Sequence, residues 1–193
     1  MNVLKMTMAC LMVLVSTGIE AHTFGAQNAG LYEGFLHPFG GMDHLLAMVA
    51  VGIWAAQLGG RAMIFAPACF ISVMGAAALL GEGGAMLPHL ESAIASTVLI
   101  LGLLIGFSVR LRLAVSILLV ALFALGHGYA HGLELPQAAY AGHYAAGLML
   151  ATALLHSAGL LTGLVVKRGV MGFQFGGALI ALSGAFLLAA AGA

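Results

Sequence analysis

The chain has 193 residues, 63% of them hydrophobic and only 6% charged. A soluble domain carries about 25% charged residues, and the mean hydropathy here is +1.14, so a soluble globular protein is excluded and a single integral membrane domain is expected. Formal net charge is zero, no basic cluster exists to hold nucleic acid, and the two cysteines, Cys10 and Cys69, lie in apolar runs that imply no disulfide framework.

Residues 1–21 read as a cleaved secretory signal peptide. Lys5 supplies the positive start, Met6 to Ser16 the apolar core, and Ile19-Glu20-Ala21 an imperfect cleavage site before His22. The alternative is retention of this segment as an additional helix. The mature domain is then 22–193, and it opens with a short external lead-in over 22–34. Six apolar runs follow at about 36–58, 62–81, 91–109, 111–130, 138–166 and 169–190, each long enough to cross hydrocarbon. The fold class expected is all-α: a polytopic membrane bundle of six transmembrane helices. Short joins predict that sequence neighbours pack side by side and antiparallel.

Basic residues orient the chain. With the mature N-terminus outside, spans one, three and five end inside at Arg61, at Arg110 and Arg112, and at Lys167 and Arg168. The opposite loops carry Glu82, Glu91 and Glu134 and no Lys or Arg. This predicts a multi-pass membrane protein with an external N-terminus; the family resemblance given below implies the bacterial inner membrane, with that terminus in the periplasm. There are 28 glycines, and Gly102/Gly106, Gly159/Gly163 and Gly172/Gly176 have the spacing that lets helix backbones approach closely. Trp54 is expected as an interfacial anchor near the inner end of span one, and the methionines as packing.

Polar chemistry gathers in two places. Span one opens with His37-Pro38-Phe39-Gly40-Gly41-Met42-Asp43-His44. Pro38 suits a first helical position, and in one continuous helix His37 and His44, two turns apart, share a face. Ionisable groups at membrane depth are costly and usually functional. Two imidazoles with a carboxylate suit Ni²⁺, Co²⁺, Zn²⁺ or Cu²⁺; the alternative is a capping His and a hydrogen-bonded Asp–His pair. Span four ends in Gly126-His127-Gly128-Tyr129-Ala130-His131-Gly132-Leu133-Glu134. His127 and His131, four apart, lie on one helical face, the spacing that brings two imidazoles to one metal; no Glu follows the first His as a zincin requires. Asp43 and His44 lie about 8–9 Å below the outer start of span one and His127 about 6 Å below the outer end of span four. Glu91 opens span three on the same side, so these groups can converge, the carboxylates either ligating or orienting the histidines. In span five, His143 and His156 fall on different faces; His156 lies near mid-membrane, as an inner relay or bonded to a backbone carbonyl.

These residues resemble the HupE/UreJ family. Its first signature is matched by His37-Pro38-Phe39, Gly41, Asp43-His44, Leu46-Ala47-Met48, Val51-Gly52 and Trp54-Ala55. Its second is matched by His127-Gly128, Ala130-His131-Gly132 and Glu134, and Glu91 and Leu154-Leu155-His156 with Gly159 also fit its pattern. The resemblance implies a small bacterial membrane protein tied to hydrogenase or urease, acting as a nickel or cobalt permease or as an accessory protein. The expected function is therefore secondary import of a divalent ion, Ni²⁺ foremost and Co²⁺ or Zn²⁺ otherwise, from periplasm to cytoplasm. No prosthetic group and no catalysis are expected. A metallochaperone of hydrogenase or urease and a second copy of the chain are the protein partners considered. The candidate metal-handling residues are His37, Asp43, His44, Glu91, His127, His131, Glu134 and His156. No nucleotide-binding G-x-x-x-x-G-K-[ST] occurs, so the chain has no ATPase of its own. The competing functions are a membrane metalloenzyme resembling a zinc hydrolase, with Asp43 or Glu91 activating water, and a metal-binding accessory protein that does not transport.

Overall fold

The structure, a computed structural model, describes residues 29–135, 140–166 and 171–192. The expected signal peptide, with Cys10, and also His22, Lys167 and Arg168 lie outside the described residues. Within them there are seven α-helices and no strand: α1 Ala29–Gly40, α2 Met42–Leu58, α3 Ala62–Gly81, α4 Leu90–Gly106, α5 Leu113–Leu133, α6 Ala141–Val166 and α7 Gly172–Ala191. Helices α3, α5, α6 and α7 are each long and apolar enough to cross a membrane. Helix α4 is a shorter apolar helix of 17 residues. The protein is an all-α membrane bundle.

The expected first span is not one helix. α1 and α2 together have the length and composition of a span, but they meet at an angle of 85°. Pro38 sits inside α1 rather than at a helix start, and part of the expected lead-in is helical. The break falls at Gly41, whose backbone is extended (φ −106°, ψ 120°). A Cβ there would stand 2.8 Å from Asp43 Oδ1 and 3.0 Å from His44 Nδ1. Only glycine leaves room for the Asp43 carboxylate to fold back and accept the His44 backbone N–H at 2.8 Å. That bond satisfies one of the donors a helix start leaves without a partner. The imidazoles of His37 and His44 thus belong to different helices, and the shared helical face expected for them does not exist.

Packing also departs from the hairpin expectation. The most extensive contacts join α3 with α5, α4 with α7, and both α1 and α2 with α6. Glycines decide these partners. A Cβ on Gly128 would lie 2.2 Å from the Met74 carbonyl oxygen, and one on Gly132 2.1 Å from that of Ala78, so α5 rests on the α3 backbone. Gly52 and Gly159 do the same for α2 and α6, and Gly102, Gly177 and Gly184 for α4 and α7. Without a hydrophobic force between helices in lipid, such backbone approach sets association, and it outweighs loop length here. Of the glycine pairs read from the sequence, Gly102/Gly106 and Gly159/Gly163 face partner helices, whereas nothing lies within 4 Å of Gly176.

Trp54 is fully buried instead of interfacial. Its indole N–H donates to the Val109 carbonyl at 3.2 Å. One turn on, the Gln57 amide donates to the Ile105 carbonyl at 3.0 Å. These bonds tie the end of α2 to the chain leaving α4, where Arg61 and Arg110 border a cavity of about 280 Å³. The acidic residues cluster at the other end of α2.

Substituting Gly128 by Ala forces the α3 and α5 backbones apart, and thermal unfolding in detergent should show a loss of about 1–3 kcal/mol or more, the range for overpacking. Gly126→Ala, two residues away with nothing within 4 Å, should be neutral or gain up to about 1 kcal/mol from helix propensity. Equal stability of the two variants would contradict the α3–α5 contact.

Candidate metal centre

The 85° bend swings His37 away from His44 in sequence terms and over the end of α5 in space. His37 Nε2 lies 2.8 Å from Glu134 Oε2. Glu134 is the residue that closes α5, where the helix dipole is negative and a carboxylate is poorly placed. His37 answers that charge and holds the Glu134 carboxyl below its ordinary 4.5, against the opposing effect of partial burial. His37, His131 and Glu134 present ligand atoms that all lie within 4.8 Å of one another.

From this group a line of imidazoles runs inward. The His131 ring is 5.0 Å from His37 and 4.3 Å from His44, and His44 is 5.1 Å from His127, centroid to centroid. The fully buried Phe70 ring of α3 follows, 5.7 Å from His127 and 5.0 Å from His156. A cavity of about 560 Å³ opens onto the start of this line. His37, Asp43, His44, Glu91 and Glu134 all border it, as does Glu33.

The hydrogen bonds determine which ring nitrogens remain available. His44 Nδ1 lies 2.8 Å from Asp43 Oδ1, His127 Nδ1 2.9 Å from the Phe123 carbonyl and His156 Nδ1 2.6 Å from the Met48 carbonyl. Each of those oxygens can only accept, so each ring donates from Nδ1, and in its neutral form its Nε2 carries a lone pair. These three Nε2 atoms, and both nitrogens of His131, are buried and find no partner among the described residues. An unpaired buried polar atom costs about 1–3 kcal/mol. An imidazole fixed at one nitrogen by a carboxylate or carbonyl is oriented to ligate through the other.

Of the eight residues expected from the sequence, His37, Asp43, His44, Glu91, His131 and Glu134 gather at the cavity or against it. His127 lies behind them, and His156 is separated from them by Phe70. Asp43 orients His44 as well as facing the cavity. Of the two alternatives for His156 the structure shows the carbonyl bond, from Nδ1 to Met48, and Nε2 has no partner among the described residues. Phe70, Tyr144 and Glu33 were not foreseen. Phe70 is one aromatic within an apolar run, and nothing in its spacing marks it. Tyr144, buried with its ring 5.7 Å from His37, is likewise hidden in α6. Glu33 stands three positions before Leu36 in the stretch that the sequence reads as an external lead-in.

A bundle of apolar helices enclosing imidazoles and carboxylates at one end is a membrane protein of the metal-handling class. The chain matches the family described as HupE / UreJ protein over residues 10–187, and it belongs to that family. It is 44% identical over 171 residues to Protein HupE of Rhizobium leguminosarum bv. viciae, covering 88% of this chain and 89% of that protein. No solved structure gives a significant match. The family consists of membrane transport or accessory proteins linked to nickel or cobalt and to hydrogenase or urease, and not of enzymes. This sets aside the hydrolase alternative.

Because the folded pKa of Glu134 is depressed, its interaction with His37 stabilises the protein above the ordinary value of 4.5 and is lost as pH falls through the lowered one. Glu134 is exposed, so the contribution stays within about 1 kcal/mol. The stability difference between wild type and Glu134→Gln should shrink as pH falls well below 4.5 and the carboxylate takes up its proton. A difference that persists undiminished there would contradict the pairing.

Proposed function

We propose that this protein is a secondary importer that carries a divalent late transition-metal ion, Ni²⁺ foremost, from the periplasm to the cytoplasm. The observation that supports this most is the line of imidazoles leading from an acid-bordered cavity into the bundle, with its ring nitrogens left without partners. Carboxylates at the cavity attract the hydrated ion, and imidazoles replace its water stepwise. His37, Asp43, His44, Glu91, His127, His131, Glu134 and His156 are assigned to this path, Asp43 by orienting His44 and the others as ligands in turn. Imidazole ligands favour Ni²⁺, Co²⁺ and Zn²⁺ over Mg²⁺ and Ca²⁺, which prefer all-oxygen shells.

The topology proposed counts the bent α1–α2 pair and α4 as crossings, which makes six after cleavage of residues 1–21. The cavity then faces the periplasm, and Arg61, Arg110 and Arg112 face the cytoplasm, in keeping with the positive-inside rule. The location is the bacterial inner membrane. On the cytoplasmic side the ion passes to the maturation apparatus of hydrogenase or urease.

Uptake of Ni²⁺ into proteoliposomes tests the transport reading. His44→Ala and His127→Ala should reduce the rate about tenfold to hundredfold, the cost of disturbing a metal's ligand environment. His143→Ala, an exposed position, should leave it near wild type. Binding of Ni²⁺ without uptake by the wild type would replace transport with the accessory role.

The topology has its own check. Arg61→Cys should escape an impermeant thiol reagent in intact cells and react after permeabilisation. Labelling in intact cells would invert the proposed orientation.

A further inference from the structure

We infer that a second, inner metal site lies beyond Phe70, built from the His156 imidazole and the thioethers of Met48 and Met74 beside the Thr152 hydroxyl. Taking a borderline-soft transition-metal ion, it would act as the selective step of the path. This rests on the import reading above and adds to it a site of different chemistry.

His156 and Thr152 stand one turn apart on α6, on the face turned to α2 and α3. His156 is 2% exposed and Thr152, Met48 and Met74 are fully buried. The Met48 residue serves twice. Its carbonyl accepts the His156 Nδ1 proton at 2.6 Å, and its Sδ lies 3.4 Å from Thr152 Oγ1. Met74 Sδ, from α3, lies 3.7 Å from the same oxygen. A hydroxyl has one proton to give, and the 2.8 Å bond to the Leu148 carbonyl takes it. Both sulfurs therefore receive at most a shared part of that one proton. The His156 Nε2 has no partner among the described residues.

One imidazole nitrogen, two thioether sulfurs and a hydroxyl oxygen thus come from three helices to one buried region. Packing alone explains a buried methionine. It does not explain a buried histidine one turn along α6 from Thr152, held at Nδ1 by the Met48 carbonyl and with no partner for Nε2 among the described residues. The donor set is softer than the carboxylate-bordered cavity outside. Mg²⁺ dehydrates reluctantly and needs oxygen ligands, so it could occupy the cavity but not this site. Imidazole with thioether suits nickel and copper-group ions.

The full-length protein in nanodiscs is loaded with Ni²⁺ and studied by X-ray absorption at the nickel edge, with Ag⁺ as a soft competitor in calorimetry. The wild type should bind more than one equivalent, with sulfur scatterers appearing as the later equivalent fills. The double variant Met48→Leu/Met74→Leu should lose the sulfur shell and weaken Ag⁺ binding about tenfold to hundredfold. The first equivalent of Ni²⁺ should stay bound. Leucine conserves methionine's volume, so thermal unfolding of this variant should match wild type and exclude misfolding. Unchanged sulfur scattering or unchanged Ag⁺ affinity in the double variant would overturn the site. If the wild type takes up Ni²⁺ through an all-nitrogen-and-oxygen shell, the inner site falls and import stands. If it binds no Ni²⁺ at all, both fall.

Discussion

A polar atom buried in a membrane bundle has no water to turn to, and that constraint governs this molecule. Most of the chain obeys it by being apolar and helical. Several hydroxyls are bonded back: Ser96, Ser157, Thr162 and Ser183 return theirs to a carbonyl four residues earlier. The histidines are less complete, as are Gln57 Oε1 and the Tyr144 hydroxyl. Among the described residues each of His44, His127 and His156 satisfies one nitrogen, and His131 has a partner at neither. An unpaired buried polar atom costs about 1–3 kcal/mol, and under the proposed import function a bound cation recovers that cost at the imidazoles.

The bend at Gly41 makes the arrangement possible. In a straight first span, His37 would project along the same face as His44 and both would come from one helix. The 85° turn instead lays α1 across the mouth of the bundle and delivers His37 to Glu134 from the side. Asp43 and His44 then begin a new helix whose first turn points into the interior. One residue without a side chain thus separates the ligand-bearing elements, and a carboxylate folded against its own helix start holds the break in place.

Close glycine contacts serve the site as much as the fold. Gly128 and Gly132 alternate with His127 and His131 along α5 and press that helix onto α3, which carries Phe70 and Met74. Gly52 and Gly159 bring α2 against α6 at the level of His156. The same backbone approach that replaces the hydrophobic effect in lipid therefore sets the spacing of the imidazoles. Donors on long helices meet only because small residues let those helices touch.

The sequence by itself determined the membrane class, the all-helical fold, the extent of the later helices to within a few residues and most of the polar residues that the bundle gathers at one end. Those follow from composition, apolar length and the rarity of histidine and carboxylate in apolar runs, which are local properties. The contacts of Trp54, the pairing of α3 with α5 and of α4 with α7, the break at Gly41 and the insertion of Phe70 between His127 and His156 were decided only by the tertiary structure. Each depends on which helix faces which. A glycine pair shows that something packs closely but not what, and an aromatic or a methionine in an apolar run looks the same whether it meets lipid or a histidine. Partner choice is a property of the whole bundle, and no stretch of sequence read alone contains it.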